Sequence, residues 1–113
     1  GPEHAALACD VSKRDACEAA AAKAAEHLGG IDILVNNAGG PPVKSFDETS
    51  EEEWHEYFDI TFMSVVRSVK AVLPLMKAAR YGRIINITSV SVKEPITILI
   101  YSNALRLGVV GLA

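Results

Sequence analysis

Cysteine is scarce: the chain of 113 residues holds two, Cys9 and Cys17. Two thiols make no disulfide framework, and their spacing is neither a metal-ligand nor a redox pattern. No apolar run approaches the roughly 20 residues that span a bilayer, and the first residues do not read as a secretory leader. Basic charge is short as well, with 11 Lys and Arg against 14 Asp and Glu and a formal charge of −3. The Lys and Arg are scattered, which argues against a nucleic-acid partner or a polybasic membrane patch. Internal repeats are absent. What remains is 50% hydrophobic and 22% charged, the balance of a folded soluble domain rather than of disorder. Its length allows one domain. The expectation is a reduced, cytoplasmic α/β chain.

Both ends read as cut. Gly1-Pro2-Glu3-His4 leads directly into an apolar run, and Gly1-Pro2 fits either a native start or a cloning remnant. Gly111-Leu112-Ala113 falls inside a helical pattern with no stop signal. An interior piece of a larger domain is therefore expected.

Residues 5–9 form an apolar run suited to a buried strand. Ser12 with Asp15 resembles a capping box, opening a helix whose apolar face is Cys17, Ala20, Ala21, Ala24 and Leu28. Gly29-Gly30 ends it. Ile31-Asp32-Ile33-Leu34-Val35 fits a central strand, and 37–49 read as a loop. Ser50 with Glu53 makes a second capping box for a long helix through Trp54, Phe58, Phe62, Val65, Val66, Val69 and Val72. Pro74 is placed to kink this helix and Gly82 to end it. Arg83-Ile84-Ile85-Asn86-Ile87-Thr88 is a third strand, and a last helix begins at Tyr101. This strict alternation of strand and helix predicts βαβ crossovers and a doubly wound parallel sheet. Connections into strands are tight and those leaving the second and third strands are long. In such sheets ligands bind beyond the carboxyl ends of the strands, so the long loops mark the working edge.

Asn36-Asn37-Ala38-Gly39-Gly40 lies on that edge, where small residues let a flat ligand approach and amides can bond a ribose or backbone. In this context the chain resembles the short-chain dehydrogenase/reductase family along nearly its whole length. Asp10-Val11 is similar to the family's adenine-contacting pair, Asn36-Asn37-Ala38-Gly39 to its Asn-Asn-Ala-Gly signature, and 54–74 to its long interface helix. Arg83-Ile84-Ile85-Asn86-Ile87-Thr88-Ser89 is similar to the strand ending in its catalytic serine. The resemblance implies that 1–113 are part of a single Rossmann-type domain binding NAD or NADP, without the N-terminal glycine-rich loop and the C-terminal substrate segment. It implies hydride transfer at a carbonyl or alcohol carbon, on substrates such as 3-oxoacyl thioesters. It also implies a homodimer or homotetramer through 50–73 and 101–113. Asp10, Val11, Asn37, Ala38, Gly39 and Arg106 are the implied cofactor contacts. Without a glycine-rich loop, these residues alone are expected not to hold a dinucleotide tightly.

The family's machinery is Asn, Ser, Tyr and Lys, and the fit here is partial. Ser89 matches the serine. Thr61 stands where the asparagine belongs and is expected to be buried and structural. Tyr and Lys should lie four apart on one helical face, and two registers are open. If Tyr101 is the tyrosine, Leu105 takes the lysine position. If Gly111-Leu112 sets the register, Ser102 and Arg106 take the two positions. The second is preferred, because it keeps the spacing from Ser89 and leaves a cation in place. Candidate catalytic residues are thus Ser89, Ser102, Tyr101 and Arg106. These departures keep a second class open, a cofactor-binding but catalytically silent protein. His55 and Asp59, also four apart, have no third ligand nearby and read as a solvated face rather than a metal pair.

Overall fold

The computed structural model describes residues 3–113; Gly1-Pro2, and with them the question of a cloning remnant, lie outside the described residues. The order is α1 (Arg14–Leu28), β1 (Ile33–Asn36), α2 (Glu51–Tyr57), a π-helical stretch (Phe58–Met63), α3 (Ser64–Ala79), β2 (Arg83–Asn86) and α4 (Ile100–Leu112). Short 3₁₀ turns at Phe46–Glu48 and Val90–Val92 interrupt the two long loops. β1 and β2 pair in parallel, Ile33 beside Arg83 through Asn36 beside Asn86. The protein is an α/β fold on a small parallel sheet.

Residues 5–9 correct the expected strand: they form none. A strand exists through the ladder it makes with a neighbour, and no partner strand lies beside them among the described residues. The Ser12–Asp15 capping box also fails to form, since α1 starts at Arg14 without a side-chain cap. The Asp10 carboxylate instead accepts the Ser12 N–H at 3.0 Å and its hydroxyl at 2.7 Å, an Asx turn just before the helix. These two donors hold the Asp10 carboxyl below the usual range. Ser50 makes half of its box, accepting the Glu53 N–H at 3.2 Å. The reciprocal box is at Ser45 and Glu48, inside the segment read as plain loop. The long helix runs unbroken through Pro74, and Arg80, at φ 53°, ends it before Gly82.

The core is small. Cys17 of α1, Val65, Val72 and Met76 of α3, and Leu105 and Val109 of α4 are buried, each worth about 1.5–3 kcal/mol for a large aliphatic side chain. α1 packs across α3, while α4 packs on the π-helical stretch and on the Val90–Val92 turn. Ile33, Val35, Ile85 and Ile87 are about half exposed, so that face of the sheet carries no helix among the described residues.

Candidate active site at the carboxyl edge of the sheet

β1 and β2 end side by side, where Asn36 Nδ2 donates to Asn86 Oδ1 at 2.9 Å. Both long loops leave from this edge. The loop after β1 carries Asn37, exposed, and Ala38, half-buried, before Gly39 turns at φ 109°. A Cβ on Gly39 would meet Thr61 Oγ1 at 3.1 Å and Arg106 Nη2 at 3.4 Å. Glycine therefore brings three elements together: the loop, the long helix and α4.

Thr61 lies in the π-helical stretch. Here the Ser64 N–H reaches back to the Asp59 carbonyl, one residue further than α-helical winding allows, an irregularity frequent at functional sites. Thr61 is 1% exposed, and its Oγ1 has no hydrogen-bond partner among the described residues. Arg67 braces the same stretch. Its Nη1 donates to the Asp59 carbonyl at 3.2 Å and to the Val11 carbonyl at 3.4 Å, and its Nη2 pairs with the Asp59 carboxylate. Asp59 is thus spent on Arg67, and His55 lies 3.8 Å from exposed Glu51. The Asp10-Val11 turn is tied to the long helix by the same arginine.

Ser89 follows β2 in extended conformation and opens on a cavity of about 870 Å³ lined by Thr88, Val92, Lys93, Pro95 and Ile96 among others. Its Oγ accepts the Ser91 N–H at 3.2 Å and the Ser91 hydroxyl at 3.0 Å. Ser91 is buried, and its Oγ lies 3.4 Å from Ser102 Oγ on α4. One helical turn on, Arg106 donates through Nη1 to the Ile87 carbonyl at 3.1 Å. Ser89, Ser102 and Arg106 are therefore brought to one edge.

Tyr101 is not brought there. It is fully buried, with Trp54 at 4.6 Å and Tyr57 at 5.1 Å between ring centroids. Its hydroxyl donates to Glu53 Oε2 at 2.6 Å, and Lys44 Nζ holds the other Glu53 oxygen at 2.6 Å. Burial, with the Glu53 carboxylate, pushes the phenol up to about 12. Lys44 and Tyr101 in turn hold the Glu53 carboxyl below its usual range. Consecutive residues on a helix point about 100° apart, so Ser102 facing the site turns Tyr101 into packing. Tyr101 as the proton-passing phenol does not fit this placement.

A family model described as short chain dehydrogenase matches residues 1–113. The chain belongs to that family. An oxidoreductase named YvrD from Bacillus subtilis is 44% identical over 100 residues, which are 88% of this chain and 37% of that protein. The 3-oxoacyl-(acyl-carrier-protein) reductase FabG of Vibrio cholerae is 39% identical over 84 residues, 74% of this chain and 34% of that one. Among solved structures, an aldohexose dehydrogenase of Thermoplasma acidophilum in ligand-free form superposes with a TM-score of 0.87 at 27% identity. That match covers 94% of this chain and 42% of the other. A short-chain dehydrogenase of Streptomyces avermitilis gives 0.86 at 28%, covering 94% of this chain and 39% of the other. The chain thus spans little more than a third of the length of these relatives.

As a member of this family the chain keeps the α/β scaffold. Sequence reasoning missed Ser91, for which the only signal was its place two residues after Ser89. It also spent Glu53 on a helix cap and left Lys44 unassigned, although the two hold Tyr101 in place. Trp54, grouped with the subunit-facing residues, packs inside the chain against Tyr101, whereas Phe58 is exposed and stacks on Phe62 at 5.1 Å.

Proposed function

We propose that the full-length protein interconverts a carbonyl and an alcohol by hydride transfer with NAD or NADP. The observation carrying this reading is the gathering of Ser89, Ser102 and Arg106 at the edge where Gly39 and Thr61 meet. Two observations support a nicotinamide nucleotide here: the small residues Ala38 and Gly39 follow β1 at the carboxyl edge beside the Arg106 guanidinium, and Thr61 Oγ1, buried against Gly39, has no hydrogen-bond partner among the described residues. Asn37, Ala38 and Gly39 would line its nicotinamide half, Asp10-Val11 its adenine half, and Arg106 its ribose. The cofactor supplies or accepts the hydride.

In the reducing direction, Ser89 donates a hydrogen bond to the carbonyl oxygen, and Arg106 offers permanent positive charge to the oxyanion that forms. Ser102 stands at the proton-passing position. A serine hydroxyl does not ionise near neutrality, so it hands on a proton only while taking one from water. Residues 1–113 then form part of one NAD(P)-binding domain of a cytoplasmic enzyme. FabG's name makes 3-oxoacyl thioesters one substrate class to try. The test is turnover of a panel of ketones and 3-oxoacyl thioesters with each reduced cofactor. Oxidation of neither would sink the reading. A second reading, a cofactor-binding but silent protein, draws on one observation: the Tyr101 phenol is locked on Glu53, and neither register on α4 pairs a tyrosine with a cation four residues on.

A further inference from the structure

We propose that Ser91 is a positioning residue that turns Ser89 into an obligate hydrogen-bond donor toward the substrate oxygen; this rests on the hydride-transfer reading above. A hydroxyl has one hydrogen to give and two lone pairs to fill. Both lone pairs of Ser89 Oγ are filled by one residue, through the Ser91 N–H at 3.2 Å and the Ser91 hydroxyl at 3.0 Å. The one capacity Ser89 retains is donation, and the cavity it lines is the open side. Ser91 has then spent its only hydroxyl hydrogen. At the 3.4 Å contact with Ser102 it can only accept, which sets the direction of the whole row: Ser102 toward Ser91, Ser91 toward Ser89, Ser89 toward the ligand. Ser91 is 2% exposed, so water cannot replace it in either role.

The chemical consequence is a preference. A carbonyl oxygen only accepts, and a pre-aimed donor suits it. An alcohol must give up its own proton and meets a serine with no lone pair free to take it. The arrangement therefore favours carbonyl binding and the reducing direction.

The experiment has two arms on the full-length protein. Neutron diffraction from D₂O-exchanged crystals locates the Ser89 deuterium: on the cavity side as proposed, or on the line to Ser91, which would overturn the proposal. In the kinetic arm, Ser91→Ala should lower kcat for ketone reduction about tenfold, the scale of one lost hydrogen bond. KM should change less than twofold, and the solvent deuterium isotope effect on kcat should rise. Unchanged kcat and isotope effect in a folded Ser91→Ala protein would overturn it as well. A wild type that reduces no ketone would count against hydride transfer itself, and the deuterium position would still decide the role of Ser91.

Discussion

Replacing Gly39 with alanine tests the packing that holds Arg106. At φ +109° an L-residue is strained by roughly 1–2 kcal/mol. The new methyl would also lie 3.1 Å from Thr61 Oγ1 and 3.4 Å from Arg106 Nη2. Thr61 is itself buried in the π-helical stretch and has nowhere to go. Arg106 is long and partly exposed, so it gives way, and its bond to the Ile87 carbonyl goes with it, about 1 kcal/mol more. The sum is about 2–3 kcal/mol. Gly40→Ala is the control, because at φ +139° it carries backbone strain but has nothing within 4 Å to collide with. Urea unfolding and calorimetric titration with each nicotinamide nucleotide, both on the full-length protein, read the two consequences. Both variants should lose stability, whereas only Gly39→Ala should lose nucleotide affinity. In an Arg106→Ala background that affinity penalty should vanish, since it acts through Arg106, while the crowding against Thr61 and its stability cost remain. Wild-type affinity in Gly39→Ala, or a penalty that persists without Arg106, would refute the reasoning.

Other outcomes follow from the same geometry. Tyr101→Phe should leave kcat within twofold of wild type; a fall of a hundredfold or more, the scale of a lost general acid, would restore Tyr101 to the active site. Its phenol, raised to about 12, stabilises the fold fully below pH 10 and loses that contribution as pH rises toward 12, so a pH-dependent unfolding series should separate wild type from Tyr101→Phe most at neutral pH. The Glu53 carboxyl, held low, stabilises above its ordinary value of 4.5 and loses that contribution as pH falls through its lowered value; Glu53→Gln should be less stable at pH 7, with the gap closing in acid. Sedimentation of the full-length protein should show a dimer or tetramer, and a monomer at micromolar concentration would remove Phe58, Phe62 and α4 from any subunit interface.

The alternation of apolar runs and turn residues was enough to read α1, the long helix, α4 and the two paired strands, because the helices carry apolar residues at helical spacing and the strands are β-branched runs bounded by turn residues. Residues 5–9 carry the same apolar signal without forming a strand, since the ladder partner is not a property of the run itself. Loop length marked the carboxyl edge from which both long loops leave, and spacing set Ser102 and Arg106 one turn apart on α4, where the structure has them. What spacing could not convey is which neighbour satisfies each polar group. Glu53 looked like a helix cap because sequence shows only local partners, while its carboxylate is claimed by Lys44 and by Tyr101 from distant segments. Ser91 looked like filler for a related reason: its role lies in two hydrogen bonds to the residue two places before it. The π-helical winding at Phe58–Met63 has no compositional mark at all.

That winding makes the long helix two instruments tuned to different phases. An α-helix advances about 100° per residue, so one surplus residue in the wide turn rotates everything after it relative to everything before. Upstream, Trp54 and Tyr57 meet Tyr101; downstream, Val65 and Val72 are buried in the core. Deleting a single residue within 58–63 would yield a more regular helix and a poorer protein, because one of these two sets would swing out of contact. Helix interiors usually tolerate a conservative exchange better than a change of length, and here the intolerance to length is concentrated in a few residues. Those same residues turn the Thr61 hydroxyl inward beneath Gly39 and Arg106. The reading frame of the helix is thereby locked to the site it serves.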